Sequence, residues 1–99
     1  MKNVYVISIK QIKSYNGKDL PVEEQQFCYA QLDDKGPLAS GYPCFSVFYG
    51  AKTFITEKDA EEWWEHNKKY LIHAIETRYD INTLAIRKIV FNKRKNLKL

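Results

Sequence analysis

Two histidines, two cysteines and an adjacent pair of tryptophans are the side chains of this 99-residue chain whose types and spacing could do chemistry. His66 and His73 stand seven apart, about two helical turns, so they could share a face. Metal sites want three or four ligands, and no cysteine or histidine lies near enough in sequence to complete a recognised set. Glu62 precedes His66 by four and can pair with it on a helix surface. Cys28 and Cys44 form no CxxC, and each adjoins a phenylalanine, Phe27 or Phe45, inside an apolar stretch. They read as small buried hydrophobes, with a strand-to-strand disulfide open only if their Cβ atoms face each other. No GxSxG, HExxH, phosphate-binding glycine loop or paired-carboxylate spacing occurs. The expectation is a non-enzymatic protein with no cofactor and no metal.

The tryptophans, Trp63 and Trp64, sit in TFITEKDAEEWWEHNKKYLIHAI, Thr53 to Ile75. Neighbours on a helix point about 100° apart, so one core cannot take both indoles equally. Ala60, Trp64, Asn67, Leu71 and Ile75 recur at steps of four and three, which places Trp64 in the buried stripe. Trp63 becomes the rim indole, with its rings against the core and its N–H wet. Thr56 is the N-cap, its hydroxyl placed to accept from the Asp59 N–H, and Glu57 and Asp59 suit the positive helix end. The helix should fade between Glu76 and Asp80.

Around this helix the sequence predicts strands. Val4 to Ile12 is β-branched and apolar on both sides at its start, the mark of a central strand. Asn16-Gly17 turns the chain, and Leu20-Pro21 ends regular structure. Gln25 to Leu32 reads as a second strand, Asp33 to Pro43 as the longest loop, and Cys44 to Tyr49 as a third strand with a short extension to Phe54. Thr83 to Phe91 is a last strand. The expected fold is α+β, a two-layer sandwich of about four mainly antiparallel strands (β-β-β-α-β) with one long helix on one face. Residues 1–92 would form a single domain and residues 93–99 a basic tail.

With 44% hydrophobic and 28% charged residues, the chain has enough apolar material for one core, and disorder throughout is excluded. No apolar run approaches the roughly 20 residues of a membrane span, and Met1-Lys2-Asn3 leads into a strand pattern, so a cytoplasmic location with no membrane contact is expected. The net charge of +4 is unevenly held: residues 81–99 carry six basic groups and no acidic one, while the helix start is acidic.

Two protein-contact surfaces follow. One is an acidic helix ridge of Glu57, Glu61, Glu62 and Glu65 beside Trp63. The other is the sheet face away from the helix. Indoles need room beneath them, so the small set Cys28, Ala30, Cys44 and Ser46 is expected under the helix, leaving Phe27, Tyr29, Phe45 and Tyr49 as an open aromatic band. The alternative surface is a nucleic-acid site of Arg87, Lys93, Arg94 and Lys95, which would gain affinity by releasing phosphate counterions. Self-association into a symmetric dimer, through the sheet face or an edge strand, is a third reading.

AKTFITEKDAEEWW, Ala51 to Trp64, resembles the strand, threonine cap and acidic helix start of many small phage and prophage proteins. The short, Lys- and Asn-rich chain is similar in style to accessory proteins of phages infecting low-GC bacteria. That resemblance implies an accessory or inhibitor protein that binds a host protein, in some such cases a defence enzyme. It carries over no site residue.

Overall fold

The computed structural model describes residues 4–34, 37–89 and 93–99, with Tyr49, Lys93 and Arg94 described by backbone alone. Its centre is β1, Tyr5–Gln11, whose residues Val6 to Ile9 are all buried. β2 (Gln26–Leu32) and β3 (Pro43–Ser46) lie on one side of it, β4 (Tyr79–Lys88) and β5 (Lys93–Asn96) on the other. The sheet order is β3-β2-β1-β4-β5 and every described pairing is antiparallel. The fold is thus α+β as expected, with the segment read as a tail supplying a fifth strand. At the far end of the β1 hairpin, Gly17 adopts φ +81° in the Asn16-Gly17 turn, a conformation that suits glycine.

The helical segment runs as α1, Glu57–Asn67, a 3₁₀ turn at Lys68–Tyr70, and α2, Ile72–Arg78. Asp59 donates its N–H to Thr56 Oγ1 at 3.0 Å, so the threonine cap is made. Where one helix is expected, Asn67 donates its side-chain amide to the Trp63 carbonyl at 2.8 Å, and the chain tightens into the 3₁₀ turn. The stripe survives the break: Ala60, Trp64, Leu71 and Ile75 all join the core with Ile7, Ile9, Cys28, Ala30, Leu84 and Ile86.

Trp64 is 1% exposed. Its indole N–H would be an unpaired buried donor, but it reaches the carbonyl of Lys98 at 3.3 Å, and Leu97 packs on the same core. The C-terminal strand therefore closes the core. Trp63 is half-buried, its rings 5.9 Å from those of Phe54. Phe54 itself is tied to Tyr5 by a reciprocal pair of backbone bonds at 2.8 and 2.9 Å, filling the gap where β2 no longer reaches β1.

The register corrects one expectation. Ala30 lies opposite Phe45, and Tyr29 opposite Ser46. Residues directly opposed share a face, so Phe45 stands under the helices, while Cys44 and Ser46 stand on the open side. Phe45 is 9% exposed and its ring sits 5.0 Å from Tyr79. Cys28 and Ala30 do lie beneath the helices as expected; in β3 the assignment of faces is reversed.

The two thiols consequently differ. Cys28 is buried and Cys44 half-buried, both free. Burial pushes both thiols up, with Asp33 adding to the effect at Cys44. An aromatic disulfide reagent at pH 8 should modify Cys44 first, with Cys28 reacting only as the fold opens; simultaneous labelling would contradict the burial. A thiol whose folded pKa is raised binds protons more readily in the folded state, so its stabilising effect is complete below the unfolded value, 9.0, and is lost as pH climbs toward the folded value. Denaturant midpoints should thus decline above about pH 9, and Cys28→Ala should reduce that decline. Trp64→Ala should lower stability by about 3–5 kcal/mol in urea unfolding, against a far smaller loss for Trp63→Ala.

Candidate functional site

The acidic ridge is laced to lysines. Lys95 of β5 hydrogen-bonds Glu61 and lies 3.4 Å from Glu57, so the last strand is ion-paired to the first turns of α1. Hydrogen bonding to Glu61, then the charges of Glu61 and Glu57, raise the Lys95 pKa. Glu65 meets Lys68 at 2.9 Å, and Glu62 lies 4.0 Å from Lys58. His66 Nδ1 is 2.8 Å from the Glu62 carbonyl, so the ring is tied to its own helix. Each of the four glutamates of the ridge thus has a cation beside it. Pairs this exposed are weak one by one, yet together they blunt the field that a basic partner would feel.

The sheet face away from the helices has a different composition. By register it carries Val6, Ser8 and Lys10 of β1, Phe27, Tyr29 and Gln31 of β2, Cys44 and Ser46 of β3, and Ala85 and Arg87 of β4. No described helix crosses it. Phe48, from a 3₁₀ turn at Phe48–Gly50 just past β3, packs its ring edge-on to Tyr29 at 5.0 Å. Phe48 is 50% exposed and neighbouring Val47 55%, so an apolar ridge faces outward beside the sheet.

Arg87 organises the middle of this face. It leaves β4, donates Nε–H to Ser8 Oγ on β1 at 3.0 Å, and lays its guanidinium over Phe27 of β2 at 4.3 Å from the ring centre. Ser8, in the middle of an apolar strand, is fully buried, and its hydroxyl accepts from Arg87. Such a stacked guanidinium is held in place by ring quadrupole and hydroxyl together. Asp80, opposite Lys10, is a carboxylate that register places on the face, and its Oδ1 accepts the Asn82 N–H at 3.0 Å.

Of the expected band, Phe27 and Tyr29 stand on the open face, Phe45 is in the core, and the Tyr49 side chain lies outside the described residues. Of the basic quartet, Arg87 is on the open face and Lys95 is turned to the helix. Lys93 and Arg94 lie in β5 opposite Lys88 and Arg87, with side chains outside the described residues. Sequence reasoning missed Ser8, Lys10 and Phe48. Ser8 carried a signal, a lone hydroxyl in the run VYVISI; Phe48 carried none, because its position depends on how the chain leaves β3.

Two depressions, of about 180 Å³ beside Gln31 and Lys52 and about 250 Å³ beside Asn82 and Leu97, are smaller than the roughly 300–1,000 Å³ of small-molecule sites. Among the described residues no helix is long and apolar enough to cross a membrane, and no group of three or more His, Cys, Asp or Glu side chains could hold a metal. Comparison of the chain with protein families, curated proteins and solved structures finds no match.

The Lys95 contacts have a testable consequence. Glu61→Lys sets like charges face to face and should speed amide hydrogen exchange at Lys95 and Asn96 while leaving exchange in β1 unchanged. Equal exchange in both proteins would show that the pair does not hold β5.

Proposed function

We propose that the chain is a non-enzymatic binding protein of the accessory or inhibitor type, which engages a protein partner through the open face of its sheet. The observation that carries this reading is the grouping of Tyr29, Phe48 and Val47 with a ring-stacked Arg87 on a face no described helix covers. Aromatic residues and arginine are the side chains that anchor protein interfaces. The rings are also held before binding, edge-on or stacked, so little side-chain freedom is left to lose on association.

A protein partner fits better than nucleic acid. Of the quartet that would neutralise phosphates, Lys95 is engaged by two glutamates. Nucleic-acid affinity rests on many cations meeting phosphates at once, and the described part of this face supplies Lys10 and Arg87. The anti-defence role belongs with the same reading, since an accessory protein that blocks a host enzyme needs a contact surface and no chemistry of its own.

The test is a pull-down from the source cell with and without nuclease, comparing the wild-type chain with a Tyr29→Ala/Phe48→Ala variant. A protein should be retained by the wild type and lost from the variant, because truncating an interface anchor costs about 2 kcal/mol or more, roughly thirtyfold in affinity. Equal retention by both would remove the open face from consideration. Retention that vanishes with nuclease would make the ligand a nucleic acid.

A further inference from the structure

Arg87 has five N–H donors, of which Nε–H is engaged with Ser8, and the terminal pair has no partner among the described residues. No described carboxylate lies within 4.0 Å of it, although Lys13, Lys58, Lys68 and Lys95 each have one. A guanidinium that is stacked on a ring, fixed at Nε and open at its far edge matches a carboxylate bidentately. Lys10 lies opposite Phe27, the ring on which Arg87 rests, and has Asp80 opposite it on β4, so Arg87 is the cation of this face to which register gives no carboxylate among the described residues.

We infer that the partner places a carboxylate side chain against the terminal nitrogens of Arg87, with its neighbouring apolar residues against Tyr29 and Phe48, so that the open face reads an acidic-aromatic segment. The occupant is thus an acidic peptide segment of a protein. Positive charge with unspent donors selects the anion, and the adjoining apolar ridge selects the flanking residues. The low-dielectric surroundings of Phe27 strengthen a charge-assisted pair relative to one in open water. Ser8 is a positioning residue: it fixes the plane of the fork and touches no partner atom. This assignment rests on the open-face reading and can fail without it.

The test follows the Arg87 Nε–Hε signal and the Tyr29 and Phe48 ring signals by NMR in the full-length chain. The probes are a short peptide alternating glutamate and phenylalanine, the same peptide with lysine for glutamate, and an oligothymidylate. The glutamate peptide should shift the Arg87 signal together with both rings, and the lysine peptide should not. Arg87→Lys, which keeps the charge and loses the fork, should weaken the glutamate peptide about tenfold, and Ser8→Ala should weaken it by a smaller factor with Arg87 still present. Ring shifts without an Arg87 shift, or equal binding of both peptides, would overturn the carboxylate contact and leave the open face standing. Silence of rings and Arg87 toward the glutamate peptide would overturn the contact, and the pull-down with the Tyr29/Phe48 variant then decides the face independently. An Arg87 shift with oligothymidylate alone would replace the acidic segment by nucleic acid.

Discussion

The chain leaves β3 at one edge of the sheet and must re-enter as β4 on the far side of β1, and it makes that crossing over one face only. The helical residues between Glu57 and Arg78 do the crossing, and their apolar stripe has to bury itself on whatever the strands present beneath. Trp64 sits at the centre of that contact. Burying an indole brings a large apolar gain and one obligation, a partner for its N–H. The Lys98 carbonyl meets it, which draws the C-terminal residues onto the core and sets β5 beside β4. From the need to seat one side chain follow the closure of the core and the width of the sheet.

The same arrangement redistributes charge. Read along the sequence, the molecule is acidic at the start of α1 and basic at its end. Folding brings those poles together on the helix side, where Lys95 lies between Glu57 and Glu61. On the other side Arg87 meets a ring and a hydroxyl in place of a carboxylate. One face is internally compensated; the other keeps an ordered cation with donors to spare. This asymmetry, more than the net charge of +4, distinguishes the two faces electrostatically. It also explains why the central strand tolerates a fully buried serine, since Ser8 fixes Arg87 from below.

Small local devices position the strands that build this surface. Thr83 accepts the Lys10 N–H at 2.8 Å and donates to the Asp80 carbonyl at 2.6 Å, so its hydroxyl bridges the place where the β1–β4 register shifts. Past that irregularity, β4 puts Leu84 and Ile86 on the core side and Ala85 and Arg87 on the open side, the parity the stacked arginine requires. On the other flank, Gly41 takes φ +76° as the long loop returns, and the Asp33 N–H bonds the Tyr42 carbonyl at 2.9 Å. That closure sets the phase in which β3 meets β2.

What the sequence determined by itself is what depends on neighbours a few residues apart. The central character of β1, the Thr56 cap, the Asn16-Gly17 turn and the division of labour between Trp63 and Trp64 are all periodicity or local hydrogen bonding, and all are readable in order along the chain. Tertiary structure alone decided the face taken by Phe45, because alternation within a strand is local while its phase relative to the next strand is set by register, and one residue of offset exchanges the faces. It also decided that Lys93–Asn96 is a strand. Four polar residues carry no apolar pattern to announce one, and their order comes from the β4 ladder and from two glutamates more than thirty positions away. The contact of Arg87 with Ser8 is of the same kind: a separation of 79 residues leaves no trace in spacing, and only the closing of the sheet brings the guanidinium over the hydroxyl.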